Sequence, residues 1–360
     1  MPDHFGGELH MEIFWFVVIV FMLAMYAILD GFDLGAGILY LVVAKTDEER
    51  RMIHTAIGPV WDGNEVWIIA AAGTMYFAFP LLYASSFSGF YLPLMIVLWL
   101  LILRGLGIEM RHHVGHPIWK SFWDGSFALG SSLLAIFLGA ALGNVVRGVP
   151  LDESGFFFEP LWTSFTVQPE AGILDWFTVL MGIVGFSTLT VQGANYLAMK
   201  TGGELRDRCR HAASVAWWVI IGSSIAALTA VSSIRPAIWN NYAAHPWGFL
   251  FPLIGAAGLA GMMLFRRKGA DTKAFLSSSA FIGGMLAGTA FGLFPVVLPA
   301  STGPARDLTV FNTAAGSYGL GVGVVWWSVG MAAAIGYFTY LFFTFRGKIT
   351  ARDAKGYHGL

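Results

Sequence analysis

Nine apolar stretches, each of roughly the length that crosses a lipid bilayer, recur along this chain. About 20 apolar residues in a helix span the hydrocarbon core. No water is at hand there to pair backbone groups, so only helices and closed barrels can cross. The stretches lie near residues 13–43, 58–79, 88–110, 123–146, 173–199, 212–232, 247–265, 276–298 and 320–344. Pro80, Pro117, Pro150, Pro169, Pro236, Pro299 and Pro304 fall at or beside their ends, where a residue without an N–H stops a helix. Composition agrees: 12% of residues are charged, against about 25% in soluble domains, and the mean hydropathy is +0.66. The expected fold is an all-α polytopic membrane protein with nine transmembrane helices in one integral-membrane domain, residues 1–360.

Charge orients these helices. Cytoplasmic loops carry an excess of Lys and Arg. Of the 21 such residues, all but Arg147, Arg235 and Arg306 fall in one alternate set of connections: those after the first, third, fifth and seventh helices, and the C-terminus. The N-terminus is therefore expected outside and the C-terminus in the cytoplasm. The segment MPDHFGGELH has no Lys or Arg, so the first span is expected to persist in the mature chain. The first and fifth helices run the same way, and basic-acidic loops follow both (TDEERR, GGELRDRCR). That pattern fits four-helix halves at about 13–146 and 173–298 with a ninth helix at about 320–344.

Several function classes are excluded. A net charge of −1 without a basic tract argues against nucleic acid as a partner. A lone Cys209 permits no internal disulfide and no four-cysteine cluster. All nine histidines (His4, His10, His54, His112, His113, His116, His211, His245, His358) are expected in loops or at span ends, so no imidazole pair is placed to grip a haem within the bilayer. No metal site is expected, and no Walker A, dinucleotide fingerprint or catalytic triad occurs.

Acids at bilayer depth cost about 2.5–3.5 kcal/mol each on insertion scales, and they mark function by default. Asp30 and Asp33 share a face of the first helix; Asp33 lies about 16 Å from its inner end. Asp62 and Glu65 share a face at the start of the second helix, and Arg104 and Glu109 return to the same end on the third. A short connection makes the first two helices neighbours, so these acids form a ladder suited to proton transfer. The same residues also fit helix clamps, with Arg104 paired to Asp62 or Glu65. Trp61 and Trp67 fit interfacial anchors. Glycines four apart (Gly31 and Gly35, Gly139 and Gly143, Gly284 to Gly292) fit close helix packing within the chain.

LDGFDLGAG (29–37), TDEERRMIHTAIGPVWDGNEVW (46–67), FAFPLLYASSFSGFYLPL (77–94), GNVVRGVP (143–150), VQGANYLAMKTGGEL (191–205) and FPVVLPAST (294–302) together resemble subunit II of the cytochrome bd-type quinol oxidases. The resemblance runs from the first helix to the loop after the eighth. It implies two four-helix bundles with one peripheral helix, in a heterodimer of the bacterial cytoplasmic (inner) membrane. Such a complex oxidises ubiquinol or menaquinol and reduces dioxygen to water, generating proton motive force without pumping. Its two b-type haems and one d-type haem belong to subunit I, so no cofactor is expected on this chain. Some members hold a structural quinone in this subunit, and a small single-helix subunit is a further partner open to the complex, beside quinol and lipid. Acids matching Asp33 and Asp62 are implicated in proton delivery from the cytoplasm, and the Trp matching Trp67 in a gas route. Asn312 stands where many relatives are expected to carry an acid. The rival reading is a proton-coupled membrane transporter acting alone.

Overall fold

The computed structural model describes residues 11–170, 172–350 and 353. It is mostly helical. In chain order the helices are α1 (Met11–Val43), α2 (Asp47–Ile57), α3 (Trp61–Ala78), α4 (Pro80–Gly89), α5 (Tyr91–Met110), α6 (Pro117–Arg147), α7 (Trp176–Lys200), α8 (Gly203–Ile234), the short α9 (Trp239–Ala244), α10 (Leu250–Arg267), α11 (Asp271–Leu293) and α12 (Ser317–Thr344). Two short strands, β1 (Val296–Leu298) and β2 (Leu308–Thr309), pair antiparallel between α11 and α12. Among the described residues, eight helices are long and apolar enough to cross a membrane: α1, α5, α6, α7, α8, α10 with the turn before it, α11 and α12. The expected second span, α3, falls outside that set because Asp62, Asn64 and Glu65 occupy its first two turns.

α1 is the hub. It packs against α3, α6, α7 and α11, while α5 packs on α6, α8 on α7, and α10 on α11. The section of α1 from Asp30 to Tyr40 is buried at every position. In contrast, α12 buries only Leu320 and Leu341 and presents Trp326, Val329, Ile335 and Tyr340 outward.

Closest approach comes where α1 meets α7. A Cβ on Gly35 would lie 2.0 Å from the Leu189 carbonyl oxygen, and one on Gly193 would lie 2.2 Å from the Gly35 carbonyl carbon. Gly139 of α6 likewise faces the Met181 carbonyl of α7. The glycine lines therefore serve packing within this chain, as small residues do where lipid supplies no hydrophobic drive.

Connections gather at two ends. At the basic end, Arg208 pairs with Glu49, Arg111 with Asp47, and Arg206 and Arg210 with Asp271, while Ile349 donates its N–H to the Lys200 carbonyl at 2.7 Å. These contacts join the loops after α1, α5, α7, α10 and α12. At the opposite end, Val149 pairs with Ala300 and Arg306 with Glu153 at 3.3 Å. Buried Arg147 there holds both Glu159 and Asp175. Asp175 also caps α7, accepting from the N–H groups of Phe177 and Thr178.

The helices α2 and α4 lie in stretches read from sequence as connection. Capping by Thr46 and Glu49 starts α2, and Pro80 at a first-turn position starts α4. The eighth span ends earlier than 298 because Pro295 has no N–H to continue the ladder, and the chain turns into β1. His54 also corrects expectation. It lies on α2 and is fully buried, because the amphipathic helix folds back over the ends of α1 and α6. His4, His10 and His358 lie outside the described residues.

Gly193→Ala should force α1 and α7 apart at a cost of about 1–3 kcal/mol, lowering the thermal midpoint and the yield of assembled protein. Gly336→Ala on α12, where a Cβ meets nothing within 4 Å, should leave both unchanged.

Candidate functional site

A polar stripe runs along one side of α1. Tyr26, Asp30, Asp33, Gly37 and Tyr40 recur at intervals of three and four residues, so they face one way along about 21 Å of helix. Asp30 and Arg104 of α5 form a two-pronged ion pair: Nη1 donates to Oδ2 at 2.7 Å and Nη2 to Oδ1 at 2.6 Å, with both side chains wholly buried. This fork geometry is the strongest arrangement of such groups. Glu65 of α3 approaches Arg104 at 3.5 Å and keeps part of its side chain exposed. The Arg104 guanidinium also lies 5.9 Å from the Trp61 ring.

Asp33 is held differently. Its Oδ2 accepts from Asn64 Nδ2 at 2.8 Å, while its Oδ1 is buried with no partner in the chain. Asn64 Oδ1 is equally bare. Buried polar atoms of this kind are where ordered water is held.

The ladder inferred from sequence thus comes together in part. Asp30, Asp33, Glu65 and Arg104 meet, but Arg104 takes Asp30 as its main partner. Asp62 lies exposed on the first turn of α3 and makes no ion pair with Arg104, because its position directs it away from α1. Glu109 also stays clear of Arg104; its carbonyl accepts from His113 Nδ1 at 3.0 Å. Trp67 is buried against Phe338 of α12 and Phe21 of α1. Asn64 was passed over in sequence, although a polar residue between Asp62 and Glu65 on an otherwise apolar helix was its signal.

A second polar knot closes the basic end. Asp124 of α6 accepts from Tyr40, Arg50 and Arg111. With the Tyr40 proton committed to Asp124 at 2.7 Å, the Tyr40 oxygen accepts from His54 Nε2 at 3.0 Å. That fixes His54 as the neutral Nε2–H tautomer with a bare, buried Nδ1. Burial, then the nearby His112 and Arg111, pushes its pKa well below the ordinary 6.5. Among the described residues, no group of three or more His, Cys, Asp or Glu is placed to hold a metal ion.

These features sit in a chain whose relatives are recognisable. The profile of the cytochrome bd terminal oxidase subunit II family matches residues 11–345. The chain belongs to that family. It is 29% identical over 362 residues to the "Probable cytochrome oxidase subunit 2" of Haemophilus influenzae, covering 94% of each chain. It is also 29% identical over 368 residues to the "Cytochrome bd-I ubiquinol oxidase subunit 2" of Escherichia coli K12, covering 95% of this chain and 96% of that one. The bd oxidase structure from Geobacillus thermodenitrificans contains a chain with the same fold, at a TM-score of 0.71 and 15% identity, covering 94% of this chain and 99% of that one. The protein is therefore a subunit of a terminal oxidase, a multi-pass protein of a bacterial inner membrane.

Two measurements on the assembled oxidase probe these knots. Asp30→Asn or Arg104→Gln should each lower stability by about 3–5 kcal/mol, because a buried charge loses its partner. The pair Asp30→Leu with Arg104→Met should recover much of that loss in denaturation midpoint. For His54 the folded pKa lies below the unfolded one. Its contribution is complete above about pH 6.5 and is lost as pH falls toward the folded value. The thermal midpoint should accordingly fall more steeply between pH 7 and pH 5 in the wild type than in His54→Gln.

Proposed function

We propose that this chain is the haem-free member of a bd-type quinol oxidase, packed against a haem-bearing subunit I and supplying it with protons from the cytoplasm. The carrying observation is Asp33: an acid ten residues from the C-terminal end of the central helix, buried, with one oxygen satisfied and the other bare beside Asn64. An acid kept only for helix packing is expected to be fully paired, as Asp30 is. A half-satisfied one has room for a water and a proton.

The route enters at exposed Asp62, passes Glu65 one turn along α3, and reaches the Asp30–Arg104 pair and Asp33. Arg104 fixes Asp30 as the charged wall of this path, while Asp33 and Asn64 hold the water that bridges onward. An exposed charged residue beside the outward apolar faces of α3 and α12 is costly against lipid; subunit I covering it removes that cost. When bound in subunit I, the two b-type haems and one d-type haem of the complex supply the reduction of dioxygen. Taking those protons from the cytoplasm while quinol releases its own outside builds a proton motive force without a pump. Relatives in Escherichia coli and Bacillus subtilis are ubiquinol oxidase subunits by name, and quinol is the donor proposed here.

The same reading takes nine helices as crossing, with α3 the ninth. Its polar first turns are sheltered by α1 and α5, and the connections then alternate between the two ends without a break. The basic end is placed in the cytoplasm by the positive-inside rule. The helices fall into halves of four, α1, α3, α5 and α6 against α7, α8, α10 and α11, with α12 peripheral.

Asp33→Asn and Asp62→Asn should each lower oxidase turnover by about tenfold or more, equivalent to about 1.4 kcal/mol on the barrier. The quinol KM and the haem content of the purified complex should be preserved. Full turnover in both variants, at normal haem content, would overturn the relay and leave the acids as packing elements.

A further inference from the structure

Away from the α1 stripe, α8 and α10 enclose an open cleft of about 360 Å³ at the basic end. Arg210, Ser214 and Trp218 line it along one stripe of α8, and Met263, Arg266 and Arg267 face them from α10. No Asp or Glu lines it. Asp271 of α11, which pairs with Arg210, is shared: Arg206 Nε donates to its Oδ2 at 2.7 Å and Arg210 Nε to its Oδ1 at 2.8 Å.

Arg266 is the anomaly. Its side chain is only 9% exposed, and its Nη1 is buried without any hydrogen-bond partner. Among the described residues it forms no ion pair, and the neighbouring charges are the like charges of Arg210 and Arg267. A buried guanidinium nitrogen without a partner is costly, so the site is incomplete as the described residues present it. What it lacks is an anion with several acceptor oxygens, since guanidinium groups match phosphate geometry.

The cleft also points to the form of that anion. One turn in from the arginines lies Ser214, and beyond it the cleft is walled by Trp218 and Met263. Trp218 is 63% exposed, and Leu264 and Val215 beside it face outward. A polar floor at the helix ends thus passes directly into a lipid-facing apolar wall, with an aromatic at the level where such rings collect. The second basic cleft, around Arg206 and Lys273, contains Asp271 as its own counter-charge and shows no such need.

We propose that this cleft is a binding site for an anionic phospholipid. The phosphodiester sits between Arg266, Arg267 and Arg210, the glycerol region lies near Ser214, and an acyl chain runs along Trp218 and Met263. The bound lipid supplies Arg266 with its counter-ion and ties α8 to α10 at the membrane surface, as basic pockets between helices do elsewhere.

The test uses the intact oxidase, purified in mild detergent and stripped of lipid, with its thermal midpoint followed as phosphatidylglycerol, phosphatidylcholine or inorganic phosphate is added. Phosphatidylglycerol should raise the midpoint and phosphatidylcholine should not. Arg266→Gln should need about tenfold more phosphatidylglycerol for the same rise, the size of one lost charge-assisted hydrogen bond. Ser214→Asp gives the same reading should Arg266→Gln fail to assemble, because it keeps Arg266 and places a carboxylate in the cleft that competes with phosphate. Equal responses in wild type and variants would overturn the site. Stabilisation by phosphatidylcholine to the same extent would overturn the anionic requirement. Stabilisation by inorganic phosphate alone would overturn the lipid and assign a free anion.

Discussion

A guanidinium in hydrocarbon has to be matched, and the Arg104–Asp30 pair is where this chain meets that demand. Both groups are completely buried, and the pair spans α1 and α5. The Coulomb gain is set against two desolvation penalties, so the pair stabilises little in itself. Its effect is specificity. Rotating or sliding α1 by one residue strands two charges in a medium that cannot solvate them. Once α1 is fixed at that point, Asp33 must face Asn64, Gly35 must meet Gly193, and Tyr40 must reach Asp124. The polar stripe acts as a ruler, and the glycine crossings let the neighbouring helices come near enough to read it.

The two acids three residues apart on α1 show how environment divides roles between identical groups. Asp30 is locked by two charge-assisted bonds from Arg104 that occupy both of its oxygens. Asp33, next to it, receives one neutral bond from an amide and keeps an oxygen bare. The Arg beside them makes this division possible, because it takes up the charge of one carboxylate and leaves the other to its own surroundings. In the proposed relay, the structural pair forms the wall beside Asp33.

Much of this was legible in the residues. Apolar length, proline positions and the distribution of Lys and Arg placed most helix ends within about five residues, because lipid imposes one rule on every backbone group, although α6 begins six and α8 nine residues before the expected starts. The acids stood out because an apolar background makes each charged residue conspicuous. What stayed hidden depended on rotation about helix axes and on pairing across helices. Arg104 was expected to pair with Asp62 or Glu65, and only packing across helices shows that its main partner is Asp30. Asp62 and Glu65 share a helical face by spacing, yet Asp62 is exposed while Glu65 meets Arg104. His54 looked like a loop residue because α2 is short and polar on average. Its burial comes from tertiary contacts with Tyr40 and Phe127.

The two ends of the molecule solve a shared problem in different ways. Arg147 is buried at the sparsely charged end and is satisfied from within, by Glu159 and Asp175. Burial pushes the Glu159 carboxyl up to about 8, and the knot around Arg147 sets two acids against one base. Arg266 at the basic end is as secluded, yet no carboxylate answers it. Both residues obey the same electrostatics, and the difference lies in what surrounds the chain. Loops that fold over the sparsely charged end bring their own acids to Arg147. A cleft opening sideways from α8 and α10 toward apolar surroundings leaves the counter-ion to come from the membrane itself.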